Sequence, residues 1–345
     1  MNRYQPNHTT YSDNRPAPPW RFEAEDQGIV LRHGFGPEGC DERGAREAII
    51  CEENGLYHLF YDGASKEGWR ACLATSSDLV NWERRGPILD FGAEGEMDSA
   101  AATSPWVVRE NGEWHMFYLG TPNGREVPAF PYLTLKAKSH SLSGPWKKQP
   151  EVIPFRTKPG TFYSQTASPG HITQSGEDYV QIFSSTNDPS PNLPFGQRTL
   201  GMARTRNLNG EWEVEQSPIL PVSEQIENSS LYFEESIGVW FLLTNHIGID
   251  EVEFTDAVWM YWSDDLHHWS PDNKAVVLDG KNCTWASRCI GMPSVIRVKD
   301  RLAVFYDAPG GDSIEPLHRD IGLAWLDLPL SIPSEATTPA KRDLA

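Results

Sequence analysis

The sequence contains no run of about 18 apolar residues, so no segment reads as a membrane-spanning helix. Its start, MNRYQPNHTTYSDNRPAPPW, has no basic stretch followed by an apolar one, which argues against a secretory leader and for a cytoplasmic protein. Cysteine is sparse. Cys40, Cys51, Cys72, Cys283 and Cys289 are odd in number and show no CxxC or zinc spacing, so they read as reduced, packed thiols. No HExxH or paired-histidine spacing points to a catalytic metal, and no cofactor is expected. A structural calcium or sodium ion in a channel is compatible with the residues present. Positive charge is also short: 30 Lys and Arg stand against 48 Asp and Glu, a net charge of −18. Such a field repels phosphate backbones and excludes nucleic acid as a natural partner. Most of that charge reads as solubility, and a neutral small molecule is not disfavoured by it.

What the 345 residues do contain is glycine (28), proline (27) and thirteen tryptophans. Many short strands joined by Gly/Pro turns give that composition, and an all-β ring can hold such a length as one unit. One pattern recurs five times: Gly55-LYHLFYDG, Gly112-EWHMFYLG, Glu177-DYVQIFSS, Gly238-VWFLLTNH and Asp300-RLAVFYDA. Each is of strand length, rich in aromatic and β-branched residues, and preceded by a turn and another extended run, which predicts five hairpins. A second pattern follows: SSDLVNW, HSLSGPW, RNLNGEW and DDLHHW end at Trp82, Trp146, Trp212 and Trp269, with a leucine three or four positions earlier. Between the two lies a third strand (RACLATS, LTLKAKS, LGMARTR, VWMYWS), and a fourth is expected near Pro87-ILDF and Pro218-ILPV.

Four antiparallel strands repeated five times predict a five-bladed β-propeller around a central channel. The last unit, ending in DIGLAWLDL, lacks its outer strand, which the segment from Trp20 to Arg32 is expected to supply. The expected boundaries are a flexible segment 1–19, the propeller 20–330 and a flexible tail 331–345.

In such a ring, functional groups belong just ahead of each hairpin, in CDERGAREA, MDSAAATSPW, YSQTASPGH, IENSSLY and CIGMPS. Aligning the first two sets Asp41 opposite Asp98. Glu47 lies directly before its strand and Glu227 opens the fourth segment. A loop carboxylate is as readily a turn cap or a solvated charge. Arg46 either pairs with Glu47 or holds a substrate hydroxyl or carboxylate. His171, His246 and His318 fall where a channel-facing group can arise, against the plainer reading of packed histidines, whereas His58 and His115 sit mid-strand and pack between blades. His318-Arg319-Asp320 is dense enough to form a substrate clamp, with Arg288 as a further cation. Trp69, Trp106 and Trp285 stand outside the repeated motif and are candidates for stacking on a flat ligand. The four repeated tryptophans read as structural.

On these hairpins and SxDLxxW motifs, residues 30 to 330 resemble the five-bladed propeller glycosidases, the group holding glycoside hydrolase families 43, 32 and 62. The resemblance implies a carbohydrate substrate and three acids on successive blades: a base or nucleophile, a tuning carboxylate and a glutamic acid that protonates the leaving oxygen. The family's first-blade Asp-Pro is matched by Glu47-Ala48 after Arg46. No acid stands before Pro105, which follows Ser104, so Asp98 is the nearest, and the third acid is matched by Glu227-Asn228-Ser229 on the fourth hairpin instead of the third. Glycosidic cleavage needs one carboxyl group protonated and another ionised. The expected roles are therefore Glu227 as general acid, Glu47 or Asp41 as base or nucleophile and Asp98 as the tuning group, with Glu47, Asp98 and Glu227 converging on one axial cavity. The expected reaction is hydrolysis of a terminal sugar, furanosides included. Two alternatives stay open. One is a phosphorylase of the mannoside-phosphorylase type, with Arg46, Arg288 and Arg319 around phosphate. The other is a non-catalytic carbohydrate-binding propeller.

Overall fold

The computed structural model describes residues 4–9, 17–125, 128–191, 194–250 and 252–334. It is all-β apart from two single turns of 3-10 helix. All five expected hairpins form. They pair Gly44–Glu53 with Leu56–Ser65, Ala101–Glu110 with Glu113–Thr121, Ile172–Ser175 with Asp178–Thr186, Ile226–Glu234 with Val239–Asp250, and Gly291–Val298 with Arg301–Ala308. Turn chemistry fixes their register. Asn54-Gly55 and Asn111-Gly112 both take positive φ at the two central positions, the two-residue turn that matches strand twist. In the third unit the first strand is split, and Thr166–Ser168 pairs with the same partner further along.

The third strands are those expected: Gly68–Ser76, Leu133–Ser139, Arg198–Thr205, Val252–Ser263 and Asp320–Asp327. The outer strands of the first and third units fall earlier than expected, at Glu83–Pro87 and Glu213–Val214. The pairings make four sheets of six, eight, five and four strands. The eight-stranded sheet joins the first two units through the parallel pair of Gly68–Ser76 and Ala101–Glu110. The last unit's missing strand is Glu25–Leu31, antiparallel to Asp320–Asp327. Trp20–Phe22 pairs instead in parallel with Lys274–Leu278 of the fourth unit, and Tyr4–Pro6 pairs with Trp20–Phe22. Of the expected tails, residues 1–3, 10–16 and 335–345 lie outside the described residues.

Both faces of the hairpin strands are buried, because units stack on both sides. Along Leu56–Ser65, Leu59 and Tyr61 join a core with Phe305 and Leu323 of the last unit, while Phe60 faces the next unit. Each repeated tryptophan works at such a seam. Trp146 packs edge-on to Phe60, Trp212 to Phe117, and Trp82 of the first unit to Phe305 of the last. The leucine spacing also has a cause: the indole N–H of Trp82, Trp146 and Trp269 donates to the carbonyl of Leu79, Leu142 and Leu266 at 2.8–3.2 Å. First strands pack in cyclic order, and the fifth unit's lies against the first unit's, so the chain closes on itself.

Candidate functional site

Four of the first strands break their ladder at one equivalent point. Register shifts lie between Arg46 and Ile49, Thr103 and Trp106, Glu227 and Ser230, and Gly291 and Ser294. Inside each bulge sits a non-glycine residue with positive φ: Glu47 (48°), Ser104 (47°), Asn228 (58°) and Met292 (57°). That conformation costs about 1–3 kcal/mol at each residue and persists only when surroundings enforce it. At three of the four, the preceding unit enforces it through an acceptor on its second strand. Asp307 Oδ2 accepts the Glu47 N–H at 2.8 Å, Asp62 Oδ1 accepts that of Ser104 at 2.6 Å, and Ser184 Oγ accepts that of Asn228 at 2.9 Å. In the third unit the corresponding residue is Pro169, which has no N–H, and Leu119 stands where the acceptor would be.

The bulges re-aim side chains toward a pocket of about 220 Å³ whose wall includes Glu47, Glu227, Asp62, Ser104, Tyr132 and Arg198. Ser104 Oγ lies 2.8 Å from Glu47 Oε2 and 2.9 Å from Asp62 Oδ2. Arg198 donates to Glu227 Oε1 at 2.5 Å and to both oxygens of Glu253 at 3.2 and 2.8 Å. Burial raises the Glu47 carboxyl above its ordinary range. Glu227 and Asp307 add to the rise, and Arg46 and the Ser104 hydroxyl oppose it. Burial and the neighbouring Glu47 push Asp62 well above the carboxylate range. Burial also moves Tyr132 up to about 12. Burial works against the Arg198 charge, yet Glu227 and Glu253 hold that guanidinium above its usual value. The pocket thus contains two carboxyl groups whose charged form burial disfavours, Glu47 and Asp62, and one that is ion-paired, Glu227.

Of the residues expected to converge, Glu47 and Glu227 do. Arg46 joins them on the pocket wall, 3.9 Å from Asp307 and with its guanidinium 5.4 Å from the centre of the Trp69 ring, which also lines the pocket. Asp98 does not. It is buried, accepts from Tyr118 Oη at 2.8 Å and pairs with Lys148 at 2.5 Å beside a separate cavity of about 480 Å³. Asp41, fully buried, accepts the N–H groups of Gly34 and Gly36 at 3.1 and 2.7 Å and Tyr61 Oη at 3.3 Å, which makes it the organiser of its own loop.

The other candidates also lie away from the pocket. Arg319 is 2% exposed and bound to Asp307, Thr255 and Cys289, so it anchors the acceptor behind Glu47. His171 Nδ1 accepts the Leu231 N–H at 3.2 Å across a seam, and its ring lies 5.4 Å from buried Trp106. His246 pairs with Asp256 at 2.9 Å against Trp259, and Trp285 donates to Tyr306 Oη at 2.7 Å. Arg288 lies over Phe254, and His318 lies near Glu315 and the His33 ring. His58 reaches Ser143 of the next unit at 3.3 Å, in keeping with a seam position.

Asp62, Ser104, Tyr132 and Arg198 are site residues that the sequence pattern does not single out. A signal existed for Asp62: the tripeptide Phe-Tyr-Asp occurs at 60–62 and 305–307, and both aspartates hold the next bulge. Among the described residues, no group of three or more His, Cys, Asp or Glu side chains is placed to hold a metal ion.

Comparison with solved structures places the fold. A protein solved as an RGII complex has a TM-score of 0.69 and 14% identity, over 88% of this protein and 92% of that one. The catalytic domain of a GH62 α-L-arabinofuranosidase from Coprinopsis cinerea reaches 0.64 at 13% identity, over 89% and 97%. A family 117 glycoside hydrolase from Zobellia galactanivorans reaches 0.61 at 13%, over 88% and 90%. The fold is that of the propeller glycoside hydrolases. No family model matches the sequence. A 1,2-beta-oligomannan phosphorylase from Thermoanaerobacter sp. (strain X514) is 39% identical over 51 residues, which is 14% of this chain and 17% of that protein. The matched stretch is therefore about a sixth of that relative. Among the described residues, no helix is long and apolar enough to cross a membrane.

Proposed function

We propose that this chain is a five-bladed propeller glycosidase, with four-stranded blades, that removes a terminal sugar in the pocket of Glu47 and Glu227. One observation carries the reading: two carboxylates share a small pocket in unequal electrostatic settings. Glycosidic cleavage asks for that inequality, a proton for the leaving oxygen and an ionised group for water or the anomeric carbon. Burial favours the protonated form of Glu47, which suits it to the role of general acid. Glu227, ion-paired with Arg198, is the base or nucleophile. These roles reverse the ones expected from the resemblance. A pocket of about 220 Å³ suits one sugar ring better than a long chain, which supports action on a terminal residue.

The test is release of chromophore from a panel of aryl glycosides, furanosides included. Glu47→Gln should lose at least about 100-fold in turnover, the low end for general-acid catalysis, while keeping sugar affinity and melting temperature. Unchanged turnover in Glu47→Gln would overturn the assignment. A protein that binds sugar with no turnover on any glycoside would be a binding propeller.

Phosphorolysis is the second reading. It is favoured by the guanidinium groups of Arg46 and Arg198 on the same wall and by the short stretch similar to an oligomannan phosphorylase. Dependence of turnover on inorganic phosphate separates the two.

A further inference from the structure

Ser104 Oγ carries a single hydrogen, yet it lies within hydrogen-bond reach of two carboxyl oxygens, Glu47 Oε2 at 2.8 Å and Asp62 Oδ2 at 2.9 Å. Two contacts need two hydrogens, so one carboxyl group must bring its own. The surroundings decide which. Asp62 is 2% exposed and forms no ion pair among the described residues. Its Oδ1 is taken by the Ser104 N–H at 2.6 Å, which leaves Oδ2 to face the hydroxyl. Glu47 has the Arg46 guanidinium beside it, so it is the member better able to bear charge. A lone buried carboxylate with no counter-charge is the costlier of the two.

We propose that Asp62 is a permanently neutral carboxylic acid whose hydroxyl donates to Ser104 Oγ, so that Ser104 in turn donates to Glu47. Asp62 is then a positioning residue. It aligns the Ser104 hydrogen on Glu47 Oε2 and leaves Oε1 to carry the proton that is transferred. In the reaction, that proton passes from Glu47 Oε1 to the glycosidic oxygen, which takes the electron pair of the breaking C–O bond. The resulting Glu47 carboxylate is met by the Ser104 hydrogen bond. The water oxygen, with Glu227 as base or after Glu227 as nucleophile, forms the new bond to the anomeric carbon. The proton it releases returns to Glu47 through solvent, and Asp62 neither gains nor loses one. The lift of the Asp62 carboxyl well above its usual range agrees with this arrangement. The inference rests on the glycosidase reading only for the transfer step.

The charged and titratable groups facing Glu47 are Arg46, Asp62, Asp307, Glu227, Arg319 and Tyr132. The experiment therefore compares single changes in one background and follows the alkaline limb of kcat/KM against pH. Ser104→Ala removes the donor to the Glu47 anion, so the limb should move to higher pH and the rate should fall roughly tenfold. Asp62→Asn keeps a donor toward Ser104 and an acceptor for its N–H. It should lose only about threefold and leave the limb in place, because no charge is removed.

Were Asp62 ionised, Asp62→Asn would remove a negative neighbour and the limb would drop to lower pH. That result overturns the proposal. A readout free of turnover separates this from failure of the glycosidase reading: an infrared C=O band of a protonated carboxyl at neutral pH that shifts in D₂O, persists in Glu47→Gln and is lost in Asp62→Asn. Its presence with no glycoside cleaved sinks the glycosidase reading alone. Its absence from the wild-type protein sinks the proposal.

Discussion

A glutamate at φ 48° places its carboxylate where an unstrained strand would not, and the strain is held by one hydrogen bond from its N–H to Asp307. Asp307 is fully buried and is itself held by Arg319 at 2.5 Å. Arg319, in the dense His318-Arg319-Asp320 segment, therefore supports Glu47 from behind. The strain can be measured apart from the chemistry. Glu47→Ala and Glu47→Gly both remove the carboxylate, but only glycine occupies that region freely. The glycine variant should be more stable than the alanine variant by about 1 kcal/mol in urea unfolding, although neither turns over. Equal stability would mean that the backbone there is not strained. Nothing in the local sequence announces this. Arg46-Glu47-Ala48 reads as an ordinary approach to a strand, and only the acceptor 260 residues away makes the bulge hold.

At the scale of elements, three of the first strands are stitched to the preceding unit by a second repeated bond, one step past the bulge. Ser294 Oγ accepts the Ile50 N–H at 3.1 Å, Ser230 Oγ accepts that of Val295 at 3.0 Å, and His171 Nδ1 accepts that of Leu231 at 3.2 Å. His171 thus does a serine's work and must stay neutral at Nδ1 to do it. Burial lowers it from 6.5 to about 4, and His115 falls likewise to about 4 through burial and Lys136. A depressed folded-state value means that the unfolded chain takes up protons first as pH falls. These groups therefore contribute stability that is complete above about pH 6.5 and is lost as pH drops toward 4. His171→Ser should shrink the difference in urea midpoint between pH 7 and pH 5, with His115 supplying what remains. An unchanged difference would exclude His171 as a linked group. A histidine just ahead of a strand gives no hint of whether it faces a channel or a seam, because that depends on which backbone N–H the neighbouring unit presents.

The whole ring was the most legible feature, since five hairpins and four tryptophan motifs repeat at the level of local chemistry, where turns and strand periods are set. The pocket was less so. Glu47 and Glu227 could be picked out as acids ahead of strands, but Asp62, Ser104 and Arg198 matter only through contacts between units that no local pattern records. Closure links the two scales. Glu25–Leu31 supplies the outer strand of the last unit, while Asp26 accepts from Tyr306 Oη at 2.5 Å and Arg21 pairs with buried Asp279. The last unit also carries Asp307 and Arg319, which hold the Glu47 bulge, so the N-terminal strand and the pocket share one support. Removing residues 1–31 should bare the edge of Asp320–Asp327, which invites pairing between molecules. The expected outcome is a lower melting temperature together with higher-order species in light scattering, and loss of turnover out of proportion to the loss of folded protein. If the truncated chain stays monomeric and keeps its activity, the outer strand is dispensable and the seam of Trp82 on Phe305 alone closes the ring.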